Sequence, residues 1–274
     1  MSRLLLFGLI LMIGTASVAQ AQLSGTIWAE GLEIFADDQL DGGSGTDNAA
    51  PEPFQASLSG SNYSISGEVS FGPAGAPQTT CTVATNYTSG SIIQLAGSAF
   101  STIIFKWVVR QTASGGPSVT TVPVNVVASG TVEVSADGGS FAGAGSRFIL
   151  RYESGGEALV FQEINANNGG GTTPLSDSFA VTDQFAVAPD VVLTCDMMAS
   201  AASSAFFNQG ATSGTATGFV DPIIEVADEL IPGTTENYRD YYEIEFSPGY
   251  YALGDPTPVK PSTWGQIKRL YSGN

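Results

Sequence analysis

Apolar and polar residues alternate along most of this chain with a period of two. Tyr63, Ile65, Val69 and Phe71 alternate with Ser64, Ser66, Glu68 and Ser70, and Gly67 keeps the apolar register. Cys81, Val83, Thr85 and Tyr87 repeat the pattern, as do Val122, Val124 and Val126. Ile103, Phe105, Trp107 and Val109 share one register of a longer run, with Lys106 and Arg110 in the other. Phe148, Leu150 and Tyr152 stand opposite Arg147 and Arg151, and Tyr242, Ile244 and Phe246 face away from Glu243 and Glu245. Successive side chains of an extended chain point to opposite faces, so this alternation predicts strands with one packed and one wet face.

Turn-forming clusters separate the runs: Gly72-Pro73, Ser114 to Pro117, Asp137-Gly138-Gly139 and Asn167 to Gly171. Short strands at this spacing predict an all-β fold, a single antiparallel β-sandwich of jelly-roll or immunoglobulin-like type. No internal repeat or linker divides it, so one domain is expected over residues 22–253. Asp41 to Phe54, rich in Gly, Asp and Pro, reads as a long exposed loop, and Met197 to Phe207 as a short helix or connection. After Leu253 the texture changes. Pro256, Pro258 and Pro261 make residues 254–261 a stiff spacer. Ser262 can then cap a short helix carrying Trp264, Ile267, Lys268, Arg269, Leu270 and Tyr271. This basic, aromatic segment is expected either to contact a partner or to pack on the acidic domain.

The N-terminus determines the compartment. Arg3, an apolar run from Leu4 to Ile13 and Ala19-Gln20-Ala21 form a signal peptide over residues 1–21, cut before Gln22. An apolar run of about ten residues is too short to span a bilayer, and stable membrane insertion of the mature chain is not expected. Without Arg3, eight basic residues face 26 acidic ones. Such a surface repels nucleic acid and anionic lipid. Apolar residues make up 43% of the chain, enough to build a core rather than a disordered acidic segment. Two cysteines in an oxidising compartment predict a Cys81–Cys195 disulfide.

The chain has no histidine. That removes Ser-His-Asp and Cys-His catalysis, His-based zinc sites and histidine general bases. Carboxylate chemistry survives. Glu243 and Glu245, two apart on a strand, lie about 7 Å from each other, within the range a glycosidase needs. Every strand with two alternating acids offers that spacing, so a solvated outer face is the expected reading. Asp37, Asp38, Asp41 and Asp47 flank Gly42-Gly43-Ser44-Gly45 and supply oxygen ligands of the kind calcium takes, though without the twelve-residue calcium-loop pattern. No other cofactor is expected. Asn62-Tyr63-Ser64 and Asn86-Tyr87-Thr88 match the glycosylation acceptor pattern by coincidence of composition. Tyr238, Tyr241, Tyr242, Tyr250 and Tyr251 could form a sugar-stacking platform.

Two C-terminal stretches carry a resemblance. Gly218-Phe219-Val220-Asp221-Pro222-Ile223-Ile224-Glu225-Val226 and Ile244-Glu245-Phe246-Ser247-Pro248-Gly249 resemble the last strands of exported bacterial β-sandwich proteins of the PEP-CTERM-associated type. The resemblance implies a location outside the cytoplasm more than an activity. The chain departs from that group in having no Pro-Glu-Pro motif, apolar anchor helix or following basic cluster after Gly249. The expected function is therefore an exported, non-catalytic extracellular or cell-surface structural or interaction protein, with an extracellular protein or glycan as partner. The alternatives are a carbohydrate-binding β-sandwich module and a carboxylate-based polysaccharide-degrading enzyme. Secretion or surface location is expected, with the periplasm as the other possibility.

Overall fold

A computed structural model of the chain describes residues 27–36, 39–47, 53–72, 77–89, 94–112, 117–169, 173–206 and 211–247. The expected signal peptide and the segment 254–274, with its expected helix, lie outside the described residues. The strands in chain order are β1 (Ile27–Ala36), β2 (Gln39–Asp47), β3 (Phe54–Ser59), β4 (Tyr63–Phe71), β5 (Thr79–Tyr87), β6 (Gln94–Gln111) and β7 (Val122–Ala136). They continue as β8 (Phe141–Tyr152), β9 (Val160–Asn168), β10 (Leu175–Val187), β11 (Val192–Phe206), β12 (Thr212–Val226) and β13 (Tyr242–Phe246). One 3₁₀ turn, Tyr238–Asp240, precedes β13. The large sheet runs β2-β1-β6-β11-β8-β9, and β13 joins the edge of β6 beyond the end of β1. The small sheet runs β10-β7-β12-β5-β4-β3.

The pairing is nested: β5 with β12, β6 with β11, β7 with β10, and β8 with β9. This is one long antiparallel hairpin rolled around a core, with its tip at β8–β9. That is a jelly roll, and it decides between the two sandwich topologies expected from the sequence. Two hairpin-like additions widen it: β1–β2 beside β6 in one sheet, and β3–β4 beside β5 in the other.

The inner faces hold the residues that the alternation placed there. Ile65, Val69, Val83, Ile103, Phe105, Trp107, Val109, Val122, Val124, Val126, Phe148 and Leu150 are buried in one core. Trp107, Phe105 and Phe148 are its largest fully enclosed side chains. Truncating one of them to alanine costs about 3–5 kcal/mol in a core of this kind.

Three sequence expectations are corrected. The stretch from Asp41 is not a loop: residues to Asp47 belong to β2, paired with β1 from Trp28↔Asp47 to Ala36↔Gln39. Its glycines suit close strand packing as well as they suit turns. Met197 to Phe206 is not helical but lies in β11, paired on both sides with β6 and β8. Alanine favours helix intrinsically, but two flanking ladders override a propensity of a few tenths of a kcal/mol per residue. The expected Cys81–Cys195 disulfide is absent, since both cysteines are free and buried. Cys81, on β5, donates its S–H to the Ala199 carbonyl across the sandwich at 3.2 Å. Cys195 lies four residues along β11 from Ala199, about 13 Å of extended chain, out of reach of a bridge.

Near that thiol contact the sheets approach each other closely. At Gly218 on β12, a Cβ would lie 2.5 Å from the carbonyl oxygens of both Gly145 and Ser200 in the opposite sheet. Packed sheets normally stand about 10 Å apart, with side chains filling the gap. Here main chain meets main chain. Around the contact, Ser146 Oγ donates to the Phe219 carbonyl at 2.6 Å, and Thr85 and Ser203 hydroxyls pair at 2.8 Å. Gly218→Ala should therefore destabilise the protein by about 1–3 kcal/mol through overpacking. Gly169→Ala, with nothing within 4 Å of its Cβ position, serves as control and should change little. Urea denaturation of the two variants measures the difference, and equal midpoints would contradict the close approach.

Candidate functional site

The outer face of the large sheet carries a trough that crosses the strands. Strand register builds it from two adjacent rows. One row runs Gly42, Glu33, Ser98, Ala202, Gly143 and Asn167 across β2, β1, β6, β11, β8 and β9. The next runs Gly31, Phe100, Ser200, Gly145 and Asn165 from β1 to β9. Gly, Ser and Ala dominate both rows, so the floor is low. Three adjoining depressions on this face share Ser98, the one toward β2 holding about 510 Å³. Six strands at about 4.8 Å spacing give the trough a length of roughly 24 Å.

Its larger side chains lie flat across glycines of the neighbouring strand. A Cβ on Gly31 would fall 2.2 Å from Cε1 of Phe100, so this ring rests on the β1 backbone. The ring remains 46% exposed. Asn167 lies over Gly143 and Asn165 over Gly145, their Oδ1 atoms 2.7 and 2.8 Å from the respective Cβ positions. Asn165 Nδ2 also donates to Glu163 Oε1 at 3.3 Å. Phe141, 38% exposed, borders the trough on β8. Glu33 brings a carboxylate to the β2 end. On the flank, Arg147 is held by Asp196 at 3.0 Å.

These residues were not singled out in the sequence, although one signal was present. Phe100 occupies the polar register of β6, between Ser98 and Thr102, while Ile103, Phe105 and Trp107 follow the other parity. A lone aromatic in the wet register is visible as such. The partnership of Phe100 with Gly31, Gly143 with Asn167, and Gly145 with Asn165 depends on strand pairing.

The residues expected to carry chemistry are placed otherwise. Glu243 and Glu245 lie on β13, away from the trough. Glu245 accepts from Arg110 Nε at 2.7 Å, and Asp190 engages the same guanidinium. Burial, with the Glu245 charge adding to it, raises Glu243 above the usual carboxylate range. The cluster fastens β13 to β6. Asp41 and Asp47 sit six residues apart on extended β2, about 20 Å of chain. Asp37 and Asp38 lie outside the described residues. Among the described residues no group of three or more metal-ligating side chains comes together. Tyr238 and Tyr242 are buried, their rings 6.3 Å apart, and Tyr242 donates to the Pro117 carbonyl at 2.8 Å. These two are no part of an exposed platform; Tyr241, half-buried, donates to Glu236 Oε1 at 2.8 Å, and Tyr250 and Tyr251 lie outside the described residues.

No family model matches the chain, and no curated protein matches it. Among solved structures, the enzymatically active domain of tailspike protein 4 of bacteriophage CBA120 matches 60% of this chain at 15% identity and a TM-score of 0.18. The chain spans 20% of that domain. The structure of infectious bursal disease virus, Gx strain, matches 91% of this chain and 75% of its own at 11% identity, with a TM-score of 0.16. At such scores neither bears on what this chain does.

Asp221 lies on the opposite, small sheet. The β12–β5 ladder ends at Val220↔Thr79, so Pro222 follows where β12 has become an edge and no donor is required of it. Asp221-Pro222 thus lies at an edge within a strand. Asp221 Oδ1 is enclosed without a partner, and Gln78 reaches Oδ2 at 3.5 Å. Burial raises this carboxyl above its ordinary range. A raised acid destabilises the folded state where it is ionised and costs nothing where both states are protonated. Asp221→Asn should therefore raise thermal stability at neutral pH, with the gain fading as pH falls and vanishing below about 3.9. Melting curves across that range check it; a gain that grows on acidification would reverse the assignment.

Proposed function

We propose that this is an exported, non-catalytic interaction protein of the cell exterior that holds an extended ligand in the trough across its large sheet. The observation that carries the reading is the continuity of the trough. Three depressions meet at Ser98 along a floor of small residues, with the Phe100 ring and the Asn165 and Asn167 amides set over its glycines. An open, preformed groove suits a chain-like ligand passing through, rather than a small substrate enclosed from water. Against catalysis, the two rows of the trough hold one carboxylate, Glu33, with no second one facing it. The export pattern of residues 1–21 supports the location.

Ser98→Trp fills the junction of the depressions from an exposed position. It should leave the melting temperature within a degree or two and abolish retention of the purified protein on extracellular material from its source cells. The same material should release no soluble fragments during incubation with the wild-type protein. Undiminished retention of the variant would overturn the trough as the binding face, and fragment release would overturn the non-catalytic reading.

A further inference from the structure

We infer that the ligand of the trough is an uncharged glycan chain lying across the strands, an inference that rests on the trough being the binding face. The first observation is the Phe100 ring. It packs against Gly31 through its Cδ1, Cε1 and Cζ atoms and leaves 46% of its surface open to the trough. The face of an aromatic ring carries the negative part of its quadrupole and attracts the polarised C–H groups of a pyranose face. The second is the pair of amides. Asn165 and Asn167 each offer an acceptor and donors side by side, matching hydroxyls that both give and accept hydrogen bonds.

Charge narrows the class. The β2 end of the trough carries the Glu33 carboxylate, and no lysine or arginine lines its depressions among the described residues. The chain as a whole bears a net charge of −17. Uronates, sulfated sugars and nucleic acids meet repulsion here, whereas carboxylates accept hydrogen bonds from neutral hydroxyls. Direction argues against a peptide. A peptide that adds to a sheet takes its main-chain hydrogen bonds from an open strand edge, but this trough runs over strands whose backbone is already paired. Its length of roughly 24 Å and open ends suit several sugar units, not one.

The test uses the mature full-length protein in affinity electrophoresis and calorimetry. Probes are soluble neutral polymers (mixed-linkage β-glucan, arabinoxylan, galactomannan), with alginate and unfolded casein as the other arms. At least one neutral polymer should bind, and alginate and casein should not. Phe100→Ala and the double variant Asn165→Ala/Asn167→Ala should each weaken binding by about ten-fold. Gln55→Ala on the small sheet should have no effect. Binding to alginate or casein alone, or neutral binding that survives Phe100→Ala in a variant of unchanged melting temperature, overturns the inference. If Ser98→Trp abolishes retention on extracellular material but no neutral polymer binds, the trough stands as the binding face and the glycan assignment falls. If neutral-polymer binding survives Ser98→Trp, the trough itself falls.

Discussion

The structure depends on one contact, the meeting of Gly218 with the main chains of Gly145 and Ser200 across the core. A side chain of any size at that point would hold the sheets apart. With hydrogen there, short side chains span the interior: Ser146 reaches the Phe219 carbonyl, Cys81 reaches that of Ala199, and Ser203 reaches Thr85. Each satisfies a buried polar group that would otherwise cost about 1–3 kcal/mol. The polar inner residues of this region are thus explained by the close approach, and the free thiol of Cys81 serves as a donor. Burial drives both thiols far above their ordinary range, which leaves them inert as nucleophiles.

The same rows form the floor of the trough on the other side of the large sheet. Ser200 and Gly145, whose carbonyls face Gly218, occupy its second row, between Phe100 and Asn165. Small residues are therefore required on both faces of the sheet at one level: inward to let the sheets meet, outward to keep the trough open. Away from this level the large sheet regains bulk, with Phe105, Trp107 and Phe148 inside. The proposed binding face and the main-chain contact at Gly218 are two sides of one piece of backbone, so that contact holds the surface above it in place.

Much of the fold was legible in the sequence because alternation is a local property. Tyr63 to Phe71, Cys81 to Tyr87 and Ile103 to Val109 all read correctly as strands, with their inward registers as expected. The C-terminal stretches behind the family resemblance also gain physical content. Gly218 makes the inter-sheet contact, Asp221-Pro222 ends a ladder, and Ser247 closes β13 by bonding both ways with Lys106 at 2.7 and 2.8 Å. Misreadings arose where composition pointed one way and pairing another. Glycine-rich β2 looked like a loop, and alanine-rich β11 looked like a helix. Parity of cysteines suggested a bridge that their levels on facing sheets forbid. The trough was the least legible feature, because each of its elements is a cross-strand neighbour drawn from a distant part of the chain.

Hydroxyl-radical footprinting of the mature protein, free and on the extracellular material that retains it, tests the central claim most directly. Phe100 and Phe141 lie in or beside the trough, while Phe161, 56% exposed, lies outside it on the same face of the sheet. Oxidation of Phe100 and Phe141 should fall several-fold on binding while that of Phe161 stays within experimental error. Protection of Phe161 with Phe100 still fully reactive would place the ligand elsewhere and contradict the account.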